Sequence, residues 1–184
     1  MVDALKNLLD EHVTIVTAVQ LLSGAVRRMQ DRKEMPQEFF GKVLHILRDF
    51  VDGCHHAKEE EALFPMICKE GAEQSNIVSM LIDEHAKGRE FVRAMRGSLD
   101  SGDIAGMARN ASGYSTLLMQ HIKRENLIFP QWIDALQDKA RKELSERFDS
   151  IEGRSIGLGK RLEYVQMIEK LKKEMQAAGT GHNR

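Results

Sequence analysis

The chain has 184 residues, 42% of them hydrophobic and 30% charged, with only three prolines; it can build one good core, hardly two full-sized domains, and is suited to long uninterrupted helices. A formal net charge of −1 gives no electrostatic reason to expect nucleic acid or an acidic membrane surface as a partner. The longest uncharged stretch, 13–26, contains Thr14, Thr17, Gln20 and Ser23 and is too short and too polar to cross a bilayer; with no basic segment and apolar core at the N-terminus, a cytoplasmic location is expected.

From Asp3 to about Gln30, Leu5, Leu8, Leu9, His12, Ile15, Val16, Val19, Leu22 and Val26 recur at spacings of three and four, the stripe of an amphipathic helix. The charged turn "DRKEMP" ends it, and Pro36 suits the first position of a second helix, where its missing amide hydrogen costs nothing. That helix is predicted to run to about Lys69 and stop at Gly71, with Pro65 kinking it or ending it early. Cys54 and Cys68 would lie about 21 Å apart on such a helix, too far for the roughly 7 Å limit of a disulfide. A third pattern, Ile77, Leu81, His85, Gly88, Val92 and Met95, leads to "LDSGD". A fourth begins near Gly102 and continues through Tyr114, Leu117, Leu118, His121, Ile128 and Trp132 to about Leu136.

Four long segments joined by short turns predict an all-α, up-down-up-down four-helix bundle over 1–137. A C-terminal helical extension is expected over 138–178: a short helix to about Ile151, a break at "EGRSIGLG", and a last helix near 158–178. The apolar face of that helix, Leu158, Leu162, Val165, Ile168, Leu171 and Met175, must be covered by the bundle or by another subunit, which would make an oligomer. The local excess of Lys and Arg over 154–174 reads as a solvated face. Residues 179–184 read as a disordered tail, with His182 not a ligand.

An internal repeat carries the chemistry. Aligning His56 with His121 gives "HAKEEEALFP" and "HIKRENLIFP", both with His-x-x-x-Glu, while "LLDEH" ends at His12 and "LIDEH" at His85. Two similar helix pairs therefore each supply one histidine and then one His-x-x-x-Glu, a natural source of a site with approximate two-fold symmetry. Residues four apart on a helix differ by about 40° around the axis and 6 Å along it, so His56 with Glu60, and His121 with Glu125, share a face. His12 and His85 lie on the apolar stripes of their helices. Buried imidazoles and carboxylates are costly unless paired, and a cluster of cations offsets that cost. On α-helical geometry His55 is rotated about 100° from His56 and belongs at the rim or behind a ligand, and Glu59 and Glu61 turn toward solvent. Asp52, one turn before His56, is placed to orient that imidazole; His45 is three turns away.

These motifs resemble the hemerythrin-like, or HHE cation-binding, domains, whose pattern H...HxxxE...H...HxxxE is matched by His12, His56 with Glu60, His85, and His121 with Glu125, over about residues 3–136. The resemblance implies a four-helix bundle holding two non-haem irons, bridged by the two carboxylates and by an oxo or hydroxo group. Five ligands per iron leave one position for a small diatomic molecule, and Tyr114, as a phenolate, is a candidate to fill it. Oxygen-carrying hemerythrins place a further histidine one turn after the first on the third helix, where this chain has Arg89, and an Asp five residues after the last histidine, where it has Glu125 four after. These departures bear on reversible oxygen storage rather than on metal binding, and the donor set accepts manganese as well as iron. The expected function is binding of O2 or NO for storage, delivery or sensing. The alternative is a diiron enzyme acting on NO, O2 or peroxide, served by an electron-donor protein, or an iron donor for repair of damaged iron centres. The plainest reading, a helical interaction protein with incidental His and Glu, needs the same coincidence twice.

Overall fold

The computed structural model describes residues 3–31, 33 and 35–180. These residues form six helices and no strand. Residues 32 and 34 of the expected charged turn, and the tail 181–184 with His182, lie outside the described residues. Helix α1 spans Ala4–Gln30, and its first turn is closed by the Asp3 side chain, which accepts from the Lys6 amide at 3.0 Å.

Helix α2 occupies 37–70 and is not a uniform α-helix. It begins at Gln37, because Pro36 has an extended backbone (ψ 137°) and serves as the cap rather than the first helical residue. After the α-helical Gln37–His45, the backbone widens to i→i+5 hydrogen bonding over Ile46–His56 and again over Glu59–Leu63. It then returns to α geometry over Phe64–Ile67 and tightens over Cys68–Glu70 before Gly71. Pro65 thus neither ends the helix nor explains the wide turns by itself, since Pro130 lies inside α4, an α-helix over Ile104–Ala135. Between them, α3 spans Ala72–Ser101 and ends at Gly102, whose φ of +71° needs a glycine. Asp103 then caps α4 through the Gly106 amide at 2.8 Å.

Helices α5 (Asp138–Ser155) and α6 (Arg161–Thr180) pack back on the first four. Leu144, Phe148 and Ile151 of α5 join the core, as do Ile168 and Leu171 of α6, while Tyr164 stacks on Phe50 with ring centres 5.4 Å apart. The apolar face of α6 is therefore covered by the chain's own bundle at these positions. Leu162 and, in the preceding turn, Leu158 stay more than 60% exposed.

The core is divided. One apolar cluster contains Ile15, Phe50, Val51, Met95, Leu118 and Ile122; the other contains Leu8, Ala62, Leu63, Leu81 and Phe129. Along each of α1 to α4 the chain passes from one cluster to the other through a histidine or a glutamate, so a polar layer lies between two apolar slabs.

Candidate metal centre

Five imidazoles and two carboxylates meet in that layer: His12, His55, His56, His85, His121, Glu59 and Glu125, all at most 4% exposed. They form two overlapping groups of potential ligands. His12, His55, Glu59 and Glu125 make one; His56, Glu59, His85 and His121 make the other.

On the first side, His12 Nε2 lies 3.2 Å from Glu125 Oε2, and His55 Nε2 lies 3.2 Å from Glu59 Oε1. On the second, His85 Nε2 is 3.3 Å from Glu59 Oε2 and His121 Nε2 is 2.9 Å from Glu125 Oε1. Each carboxylate therefore presents one oxygen to each side. His56 stacks on His85 with ring centres 3.8 Å apart. Phe64 packs at 6.0 Å from His85 and Phe129 at 6.2 Å from His12, so the two repeated phenylalanines close one end of the layer.

While the Nε2 atoms face the centre, every Nδ1 is held from outside. His12 pairs with Asn126 Oδ1 at 2.7 Å, His55 with Glu11 at 2.9 Å, His85 with Glu60 at 2.7 Å, His121 with Glu84 at 2.8 Å, and His56 with Asp52 at a longer 3.4 Å. Ionised carboxylates only accept, so four of the Nδ1 atoms donate and the ring orientations are fixed. This is the arrangement in which outer partners orient metal-binding imidazoles.

These contacts contain a two-fold correspondence that differs by one residue from the sequence alignment. His12 matches His85 and Glu11 matches Glu84, for Glu11 holds His55 while Glu84 holds His121. Lys58 binds Glu11 as Arg124 binds Glu84. Glu60 and Asn126, each just after its inward glutamate, hold His85 and His12. His55 with Glu59 is thus the counterpart of His121 with Glu125. Phe64 follows Glu59 by five residues, whereas Phe129 follows Glu125 by four, and the wide turn absorbs the difference: the Phe64 amide bonds to the Glu59 carbonyl.

The α-helical expectations for α2 are accordingly corrected. Glu60 is 28% exposed and sits outside the layer, binding His85 Nδ1 and Arg89, while Glu59 points inward and is fully buried. His55 is not at the rim but inside. A wider turn reduces the angle between successive side chains, which lets His55 and His56 both face the interior. Glu61 is exposed, as expected, and pairs with Arg154. His45 is remote, bound to Asp49 at 2.8 Å. Tyr114 lines a cavity wall beside His56 and packs in the apolar cluster around Phe50, and burial pushes its phenol well above the ordinary value. The fifth imidazole of the layer, His56, comes from α2, while Arg89 on α3 binds Asp52 at 2.8 Å and Glu60 at 3.1 Å.

The electrostatics show what the layer lacks. Burial disfavours charge on His55, yet Glu59 and Glu11 outweigh it and push its pKa up to about 10. Burial likewise opposes His85, but Glu59 and Glu60 push it up to about 9. Despite its burial, Glu59 is held well below the usual carboxylate range by His55 and His85. His56 goes the other way, driven down by burial and by neighbouring His85. Protons thus take positions that cations could take. His12 Nε2, His56 Nε2 and all four oxygens of Glu59 and Glu125 still make no hydrogen bond, and His85 Nε2 and His121 Nε2 approach to 3.0 Å, which requires a proton or cation between them. Six orphaned atoms in one buried layer would be very costly without a cation, so the residues present fit bound metal. By contrast, the nearby group Glu11, Cys54 and Glu152 already has its cation: the fully buried Lys58 ammonium, 2.5 Å from Glu11, 2.9 Å from Glu152 and 3.0 Å from Asn7.

Comparison with known proteins agrees with this geometry. Uncharacterized proteins of Mycobacterium tuberculosis and Mycobacterium bovis are each 23% identical to the chain over 163 residues, covering 85% of it and 64% of their own length. The chain thus spans less than two thirds of these curated relatives. No solved structure matches it significantly. No helix among the described residues is long and apolar enough to cross a membrane. The hemerythrin HHE cation binding domain matches residues 3–132, a stretch that contains every donor of the buried layer, and the chain belongs to that family.

Proposed function

We propose that the protein holds two iron ions in the buried layer of an up-down-up-down bundle of α1 to α4, and binds a small diatomic molecule, O2 or NO, there. The observation that carries this reading is the convergence of five Nε2 atoms on two carboxylates that have no hydrogen-bond partner, with each Nδ1 held from outside. In this assignment Glu59 and Glu125 would be shared by the two ions, His12 and His55 would hold one, and His56, His85 and His121 would hold the other. The set differs from the motif-based one in replacing Glu60 by Glu59 and adding His55. A mixed imidazole and carboxylate donor set suits iron.

When bound, the metal pair supplies a change of valence and a place for the diatomic ligand. The chain supplies the rest. Glu11, Asp52, Glu60, Glu84 and Asn126 fix the ring orientations, and Phe64 and Phe129 keep water from one end of the layer. The His12 side would offer four protein donors and the His56 side five.

Metal analysis of protein from iron-supplemented cells tests the reading, with two irons per chain expected. Absence of metal, or unchanged iron content when Glu59 and Glu125 are both replaced by Gln, overturns it. Adding O2 to the reduced protein then separates the functions: an absorption change that reverses when O2 is removed marks a carrier or sensor, whereas sustained consumption with a reductant marks an enzyme.

A further inference from the structure

Between α2 and α3 a cavity of about 320 Å³ opens from solvent and reaches His56. A diatomic would fill little of it; its size falls in the range of pockets for organic ligands, roughly 300–1,000 Å³. Leu44, Leu47, Val92 and Tyr114 form its apolar walls. Four arginines line it as well, and they are not equivalent. Arg48 is paired with Asp49, and Arg89 is paired with Asp52 and Glu60. Arg93 and Arg96 also line the cavity, are exposed, and have no ion-pair or hydrogen-bond partner among the described residues. They lie on α3 five and eight residues beyond Gly88, which lines the cavity too, so Arg96 is about 12 Å further along the axis. Two unpaired guanidinium forks at one end of an apolar cavity match a carboxylate carried on a hydrocarbon body.

We propose that this cavity binds an organic carboxylate, its anionic head between Arg93 and Arg96 and its apolar body along Leu44, Leu47, Val92 and Tyr114, ending beside His56. That the bound molecule ends at a metal centre rests on the reading given above; the binding itself does not. A buried Tyr114 and a side-chain-free Gly88 shape the inner end: a Cβ at Gly88 would sit 3.7 Å from the Tyr114 ring, so a larger side chain there projects into the space the hydrocarbon would use.

Octanoate, with octanol as its uncharged counterpart, serves as the probe in titration calorimetry on the full chain, as purified and after metal removal. Saturable binding of one octanoate per chain is expected, at least about tenfold tighter than octanol. Arg93→Gln with Arg96→Gln should abolish that preference, because charge-assisted hydrogen bonds are lost. Gly88→Leu should weaken both probes. The arginine pair is exposed and unpartnered, so an unchanged melting temperature shows that folding is not the cause. No saturable octanoate binding, or equal octanoate affinity in the arginine double variant, overturns the proposal. The two readings fail separately: octanoate binding without iron uptake upholds the cavity and sinks the metal centre, whereas iron uptake without octanoate binding does the reverse.

Discussion

Replacing Glu59 and Glu60 in turn by Gln separates the two possible registers of α2. Glu59 is fully buried, with Oε1 3.2 Å from His55 Nε2 and Oε2 3.3 Å from His85 Nε2, so Glu59→Gln removes a negative charge shared by both groups of donors. Loss of both ions is expected. Glu60 is partly exposed and, among the imidazoles, touches only the outer nitrogen of His85, its other partner being Arg89. Glu60→Gln should therefore weaken metal binding by about 10- to 100-fold, as loss of an outer partner does, and keep two irons when metal is in excess. Thermal stability should follow. An ion at 100 times its dissociation constant stabilises the fold by about 2.7 kcal/mol, and a chain of this size gains about 2–4 °C per kcal/mol. Loss of both ions thus lowers the melting temperature by roughly 10–20 °C. Metal content by mass spectrometry and melting by circular dichroism read the two effects. Full iron in Glu59→Gln with none in Glu60→Gln would refute the inward assignment of Glu59.

Further outcomes follow from the same contacts. His55 and His85 are raised from an ordinary 6.5 to about 10 and about 9, so the stability they give the metal-free protein is complete below about pH 6.5 and is lost as pH rises through those values. Its melting temperature should fall between pH 7 and 10, while the iron-loaded form, whose ions replace those protons, should change little; a flat profile for the metal-free protein would contradict the assignment. Lys58→Met strips one of the counter-charges from the buried Glu11, which keeps His55, and should cost about 3–5 kcal/mol in urea unfolding, the size seen when a buried ion pair loses one partner. A loss under about 1 kcal/mol would show that the network carries no such energy. Leu171→Ala, at a fully buried position of α6, should cost about 2–5 kcal/mol in the same assay. A near-neutral result would mean that α6 does not share the cooperative core.

The sequence made the layer legible wherever the backbone kept 3.6 residues per turn. On α1, α3 and α4 the apolar stripe put His12, His85, His121 and Glu125 on the inner face, and there they lie. On α2 the repeat is aligned at His56, in phase with Phe64 and Pro65, which selects His56 with Glu60, and α-helical geometry then turns His55 and Glu59 away. That phase does not survive the wide turn over Glu59–Leu63, which inserts one residue between Glu59 and Phe64. A signal was nonetheless present. Shifted by one, "HHAKEE" and "HIKREN" match His55 to His121, Lys58 to Arg124 and Glu59 to Glu125, and the basic residue before the glutamate is the one that binds the Glu of each "DEH". Propensity and periodicity cannot see it, because they assume the helix type that fails here. The wide turns also account for the departure from exact symmetry: they bring inward a second consecutive histidine, His56, for which α4 has only Ile122. An irregular α2 thus brings a fifth imidazole into the layer, and it is this added residue, not the symmetric set, that borders the cavity between α2 and α3.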